Sequence, residues 1–294
     1  MQSNNPVFRR SEEFNRSGNQ HAGNGAPYQG YGQQQPRGYG EPGFGLPGYG
    51  QPGGQPPTDT RSTGRMTIDS VVQTTAITLG ITILAAAVTW FLTPDIDSNE
   101  AIGVLSMALI LGSGAAFVLS LVNSFKRVIS PGLVIAFAVA EGVALGALSK
   151  FYDAMFPSDE FGGIVVQAIV GTFAAFAGTL AAYKFFDIKV GNKFRTFVIA
   201  AMFGMIALSL MEVVLSLFSS QLGLFGFGTM GLLFAVAGLV LGVFMLILDF
   251  DFVERGVAAG LPERESWRAS FGLLVSLVWI YTNLLRILAI LQSD

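Results

Sequence analysis

The apolar positions of this chain fall in long unbroken blocks instead of alternating with polar ones. Seven such blocks follow a polar opening, over about 70–92, 101–122, 131–149, 161–183, 196–218, 228–248 and 269–291. Each is close to the roughly 20 residues that carry a helix across about 30 Å of hydrocarbon. No water is available there for backbone N–H and C=O groups, so helices follow from the lengths. The expected fold class is an all-α membrane protein: a seven-transmembrane helix bundle with a disordered N-terminal tail, its partner the lipid bilayer. Asp69 is placed to cap the first helix, and Pro131 suits the first turn of the third.

Residues 1–66 lack apolar periodicity. They are rich in Gly, Pro, Gln, Asn and Tyr, with loose repeats such as Arg37-Gly38-Tyr39-Gly40 and Pro47-Gly48-Tyr49-Gly50. Such a segment buries too little surface to offset its ordering entropy, so 1–66 is expected to be a disordered, low-complexity tail and 67–294 the membrane domain. The tail reads either as an interaction or self-association segment with tyrosines as stickers, or as a solvated leader. Asn5-Pro6-Val7-Phe8 forms a small apolar island in it. No short apolar core near the start matches a secretory signal.

Lys and Arg near the span ends set the expected orientation. One set of connections carries Arg61, Arg65, Lys126, Arg127, Lys184, Lys189, Lys193, Arg195, Arg255, Arg264 and Arg268. The opposite set carries Lys150 alone, among Asp95, Asp97, Glu100, Asp153, Asp159 and Glu160. The bias puts the N-terminus in the cytoplasm and Asp294 outside, in a plasma-membrane protein.

Composition narrows the chemistry. Of the 294 residues, 51% are hydrophobic and 13% charged, about half the charged share of a soluble domain. There is no cysteine, which removes disulfides and thiolate metal sites, and the single histidine, His21, lies in the tail. The spans therefore hold no histidine-based metal cluster and no Ser-His or Cys-His pair. Asp249 has no evident second aspartate at its depth, as an intramembrane aspartyl protease requires. No enzyme activity and no cofactor are expected. A net charge of −3 argues against a nucleic-acid partner.

Charges inside the spans are costly and so informative. Glu141 sits mid-way along the third, a protonatable or cation-coordinating carboxylate in one reading and a packing determinant in the other. Glu212 and Arg286 lie in the outer halves of the fifth and seventh, and Glu212 either lines a cation path through the bundle with Glu141 and Asp249 or pairs with a cation. Arg286 is expected to pair structurally, with Glu212 or Glu141, to offset desolvation. Asp249 and Asp251 end the sixth block; two residues apart on a helix, they point about 200° from each other. They are either an interfacial helix end or a gate that binds a proton or a hard cation. Gly142 and Gly146, Gly238 and Gly242, and the Gly171–Ala174–Ala175–Gly178 side of the fourth span mark close helix packing.

Several stretches together resemble the Bax inhibitor-1/YccA (transmembrane Bax inhibitor motif) family. Glu141-Gly142-Val143-Ala144-Leu145-Gly146 resembles its EGxxLG element. Leu248-Asp249-Phe250-Asp251-Phe252-Val253 is similar to its aromatic-Asp-x-x-x-aliphatic element, and Tyr281-Thr282-Asn283-Leu284-Leu285-Arg286-Ile287-Leu288 to the end of its last span. The opening Asn5-Pro6-Val7-Phe8 and the Gly/Tyr/Gln-rich tail look like actinobacterial members. The resemblance implies a seven-helix bundle with a central last helix. It also implies a pH-sensitive calcium leak gated by two aspartates, one on each of the last two helices, that share a proton. Asp249 matches the first. The second falls at or near Ser276, which cannot supply a charge; Asp251 or Glu141 is the candidate substitute. A weaker or shifted pH response follows. The competing expectation is a regulatory membrane protein that modulates a membrane-bound protease through the tail and a 250–268 loop, without transport.

Overall fold

The computed structural model describes residues 64–96, 99–157, 162–218 and 221–293. The tail reading for residues 1–63 lies outside them, as do Asp97, Asp159, Glu160 and Asp294. The described residues form seven helices and no strand: α1 (Ile68–Leu92), α2 (Asn99–Phe125), α3 (Pro131–Met155), α4 (Gly163–Phe185), α5 (Asn192–Leu217), α6 (Thr229–Ala258) and α7 (Glu265–Ser293). All seven are long and apolar enough to cross a membrane, and the chain is a multi-pass membrane protein.

Local chemistry sets the helix ends. Thr67, and not Asp69, caps α1. The Ser70 N–H donates to Thr67 Oγ1 at 3.1 Å and the Thr67 N–H to Ser70 Oγ at 3.0 Å, a reciprocal capping box, while Asp69 sits in the first turn facing the positive end of the helix dipole. α3 runs six residues past Ser149 and α6 ten past Leu248, because the polar residues that end each apolar block find partners on neighbouring helices. Most of the expected 250–268 loop is therefore helical, leaving a short turn at 259–264. That turn is a Schellman motif: Gly260, at φ 65°, donates to Val257 O and Leu261 to Gly256 O. Gly64–Met66, at the end of the tail read from sequence, dock on it. The Met66 N–H donates to Leu261 O at 2.7 Å, Glu263 N–H to Gly64 O at 2.9 Å, and the Met66 side chain is buried beside Leu261.

α7 is the centre of the bundle. It packs against α1, α3, α4 and α6, and half of its apolar window is buried against 11% for α5, which leans on α6 at the edge. The pattern inverts that of a soluble helix. α1 turns Thr74, Thr78, Thr82 and Thr89 inward, each hydroxyl donating to a carbonyl three or four residues earlier, and presents Leu84, Val88 and Phe91 outward. Inside, small residues let backbones meet. A Cβ on Gly142 would strike Thr82 O and, at 2.6 Å, Ala85 Cβ; one on Gly146 would strike Ala86 O and, at 2.9 Å, Ala86 Cα. Gly238 and Gly242 admit Asn283 and Ile280 of α7 in the same way.

Gly146→Val is accordingly expected to destabilise by at least about 1–3 kcal/mol, read as a lower Tm in detergent. Gly114→Ala, with nothing within 4 Å of the added Cβ, serves as the control and should be neutral or stabilising by up to about 1 kcal/mol.

Candidate functional site

Asp249 and Ser276 face each other across the α6–α7 interface. Nine residues separate Asp249 from the end of α6 at Ala258, and eleven separate Ser276 from the start of α7 at Glu265. At 1.5 Å per residue the pair lies roughly 14–17 Å inside those helix ends, well within both helices. Asp249 is 7% exposed and Ser276 1%. Ser276 Oγ donates to Asp249 Oδ2 at 2.5 Å. On the same stretches of α6 and α7, Leu246, Phe250, Leu273, Leu277 and Ile280 belong to one buried apolar cluster. A carboxylate so placed has one hydroxyl partner in a medium where an uncompensated charge costs several kcal/mol.

Asp251, on the other side of α6, is fully engaged. Arg195 of α5 reaches its Oδ2 at 2.8 Å and Arg255, one turn on, its Oδ1 at 2.7 Å. Arg255 also donates to Val190 O in the α4–α5 connection, and Tyr183 OH donates to Glu254 at 2.6 Å. The opposed directions of Asp249 and Asp251 follow from their two-residue spacing. Held by two guanidiniums, Asp251 is a lock between α5 and α6 and does not stand in for a second acid opposite Asp249.

Glu141 is half-buried on α3 and makes no hydrogen bond or ion pair with a described residue. Its neighbours on α3, Phe137 and Ala138, pack against Phe271 and Leu274 of α7.

Glu212 and Arg286 do not form the direct pair expected of them. Between them lies the α5–α6 connection. Glu212 accepts the N–H groups of Leu222 at 2.9 Å, Gly223 at 2.9 Å and Leu224 at 3.1 Å, with Gly223 at φ 78° turning the backbone toward it. Arg286 donates to the carbonyls of Leu224 and Gly226 and lies over the Phe225 ring. The acid thus takes the loop's donors and the base its acceptors, so the Glu212 carboxylate is spent on anchoring.

Two buried charge sites escaped the sequence reading. Lys150, read as a loop residue, lies in α3 at 8% exposure and donates to Trp90 O and Thr93 O at the end of α1, with Asp95 at 3.1 Å. A cation at a helix C-terminus is the expected partner of its open carbonyls. Glu265 and Arg268, in the first turn of α7, are both wholly buried; Arg268 Nε donates to Glu265 Oε2 at 2.7 Å and its Nη2 to Arg127 O at 2.9 Å. Their i,i+3 spacing at the head of an apolar block was the available signal.

A cavity of ≈ 420 Å³ lies between α1, α3, α4 and α7. Glu141, Glu212 and Asp249 do not line it, so the three acids do not converge on this space.

A family model described as Bax inhibitor 1 like matches residues 5–293. An uncharacterized protein of Chlamydia muridarum (strain MoPn / Nigg) is 28% identical over 156 residues, 53% of this chain and 60% of the relative. The chain thus matches less than two thirds of that relative's length. No solved structure matches.

Proposed function

The chain belongs to the Bax inhibitor 1-like family, and on that premise we propose that it is a pH-sensitive passive cation path, with calcium the expected ion, gated where Asp249 meets Ser276. The observation that carries this reading is a carboxylate buried between α6 and the central helix and held by one hydroxyl. A proton or a hard cation would complete its partners. In this reading the Met66 end of the bundle faces the cytoplasm, as the Lys and Arg bias implies, and Glu141, ten residues into α3, is a second acid at a similar depth.

The test is calcium flux in reconstituted vesicles across pH 5 to 8. Asp249→Asn removes the charge and should lower flux roughly tenfold, the worth of one charged contact of about 1.5 kcal/mol. Glu141→Gln should lower it less. Unchanged flux in Asp249→Asn would overturn the assignment. Ser276→Asp adds the carboxylate that the family's gate implies. Two facing acids share a proton at low pH and repel once it is lost, so this variant should show flux that rises in a step with pH, where the native chain responds more shallowly.

A second reading has one observation in its favour. Gly64–Met66, through which the tail joins the membrane domain, are bound to the α6–α7 turn. A partner of the tail, such as a membrane-bound protease, would act directly on the helices that hold Asp249 and Ser276. Co-purification that depends on residues 1–66, with no flux in vesicles, would favour it.

A further inference from the structure

The cavity between α1, α3, α4 and α7 has a shape and a polarity of its own. α1 and α4 form its two walls and have no packed interface with each other, so it opens sideways between them. α3 and α7 form its floor through Leu145, Leu274 and Leu277. Its α1 wall runs from Leu79 to Phe91, roughly 18 Å at 1.5 Å per residue. That is close to one leaflet, half of the about 30 Å hydrocarbon thickness. The deep end, at Leu79 and Leu274, is apolar. Polar groups gather at the other end, where Lys150 closes α1. There Ser149 and Tyr281 share a hydrogen bond of 2.6 Å, and Asp153 lines the mouth. Asp153 makes no hydrogen bond or ion pair with a described residue, and Lys150, the neighbouring cation on its helix, is already engaged by Asp95 and two α1 carbonyls.

A sideways-opening slot at this depth meets lipid, and its fittest occupant is long, apolar and cationic at one end. We propose that the groove binds one acyl chain of an amine-headgroup phospholipid, such as phosphatidylethanolamine, inserted between α1 and α4 with its ammonium at Asp153. The chain fills space that helix packing leaves open, and the carboxylate selects the headgroup. The lipid would then be a structural component of the bundle on the face where α1 and α4 stand apart.

The test reconstitutes the full chain in vesicles containing phosphatidylethanolamine with a photoreactive diazirine near the end of one acyl chain. After irradiation, adducts are mapped by mass spectrometry. Expected are adducts on Leu274 and Leu277, which are 1% and 4% exposed and reachable from lipid through the groove, besides those on outward residues such as Leu84. Ala87→Phe narrows the slot from the α1 wall, and Val166→Phe does so from the α4 wall should the first variant fail to fold. Either should cut the α7 adducts at least tenfold and leave those on Leu84 unchanged. With a phosphatidylglycerol probe of the same chain, α7 labelling should fall several-fold, and Asp153→Asn should erase that difference. Adducts confined to outward residues, α7 adducts that survive filling, or a chain-to-chain cross-link through the groove would overturn acyl-chain binding. Equal labelling by the two headgroups in the native chain would overturn the role of Asp153.

Discussion

Arg268→Met is expected to lower unfolding free energy by about 3–5 kcal/mol, because it strands the Glu265 carboxylate at zero exposure. Glu265 Oε1 already lacks a hydrogen-bond partner, so the oxygen that Arg268 Nε now holds would leave the whole group unmatched. Arg268 also joins the head of the central helix to Arg127 O in the α2–α3 connection, so the loss should spread beyond α7. The measurement is Tm in detergent. The double variant Glu265→Gln/Arg268→Met removes both charges and should recover much of the loss, since a buried ion pair replaced as a unit is often nearly neutral. A double variant as unstable as the single would mean that the bond to Arg127 O, and not the stranded acid, carries the effect.

The second large effect is at Glu212. Glu212→Ala removes the acceptor of three backbone N–H groups at once, each bonded to a charged group. A cost of about 2–4 kcal/mol is expected, allowing for water reaching part of the loop. Glu212→Gln keeps one carbonyl oxygen and should lose roughly half as much. Because the effect is local, amide hydrogen exchange at Leu222–Leu224 should quicken in both variants, more in the alanine one. Unaltered exchange there would show that Arg286, through the carbonyls of Leu224 and Gly226, suffices to hold the connection.

What was legible in the sequence follows from what the bilayer demands. Length and hydrophobicity are one-dimensional quantities, so seven spans could be counted without knowing which helix touches which. The same is true of glycine pairs four apart, and Gly142 with Gly146 indeed sits where two backbones touch. Helix ends were harder. Lys150 and the residues after Leu248 look like loop because they are polar, yet Lys150 finds α1 carbonyls and Asp251 two arginines, and the helices continue. Partners far apart in sequence were harder still. Glu212 and Arg286 stand out in the sequence as charges that need compensation, but the compensating groups are peptides of a connecting loop, which no spacing rule points to. The facing of Ser276 and Asp249 came from the family resemblance, since two helices 27 residues apart in register leave no periodic trace.

Met66 gives the long N-terminal segment a fixed point of purchase. Its backbone grips the turn that joins the last two helices, and its thioether is wedged beside Gly256 and Leu261. A pull transmitted through Met66 would therefore load the turn between the innermost pair of helices first.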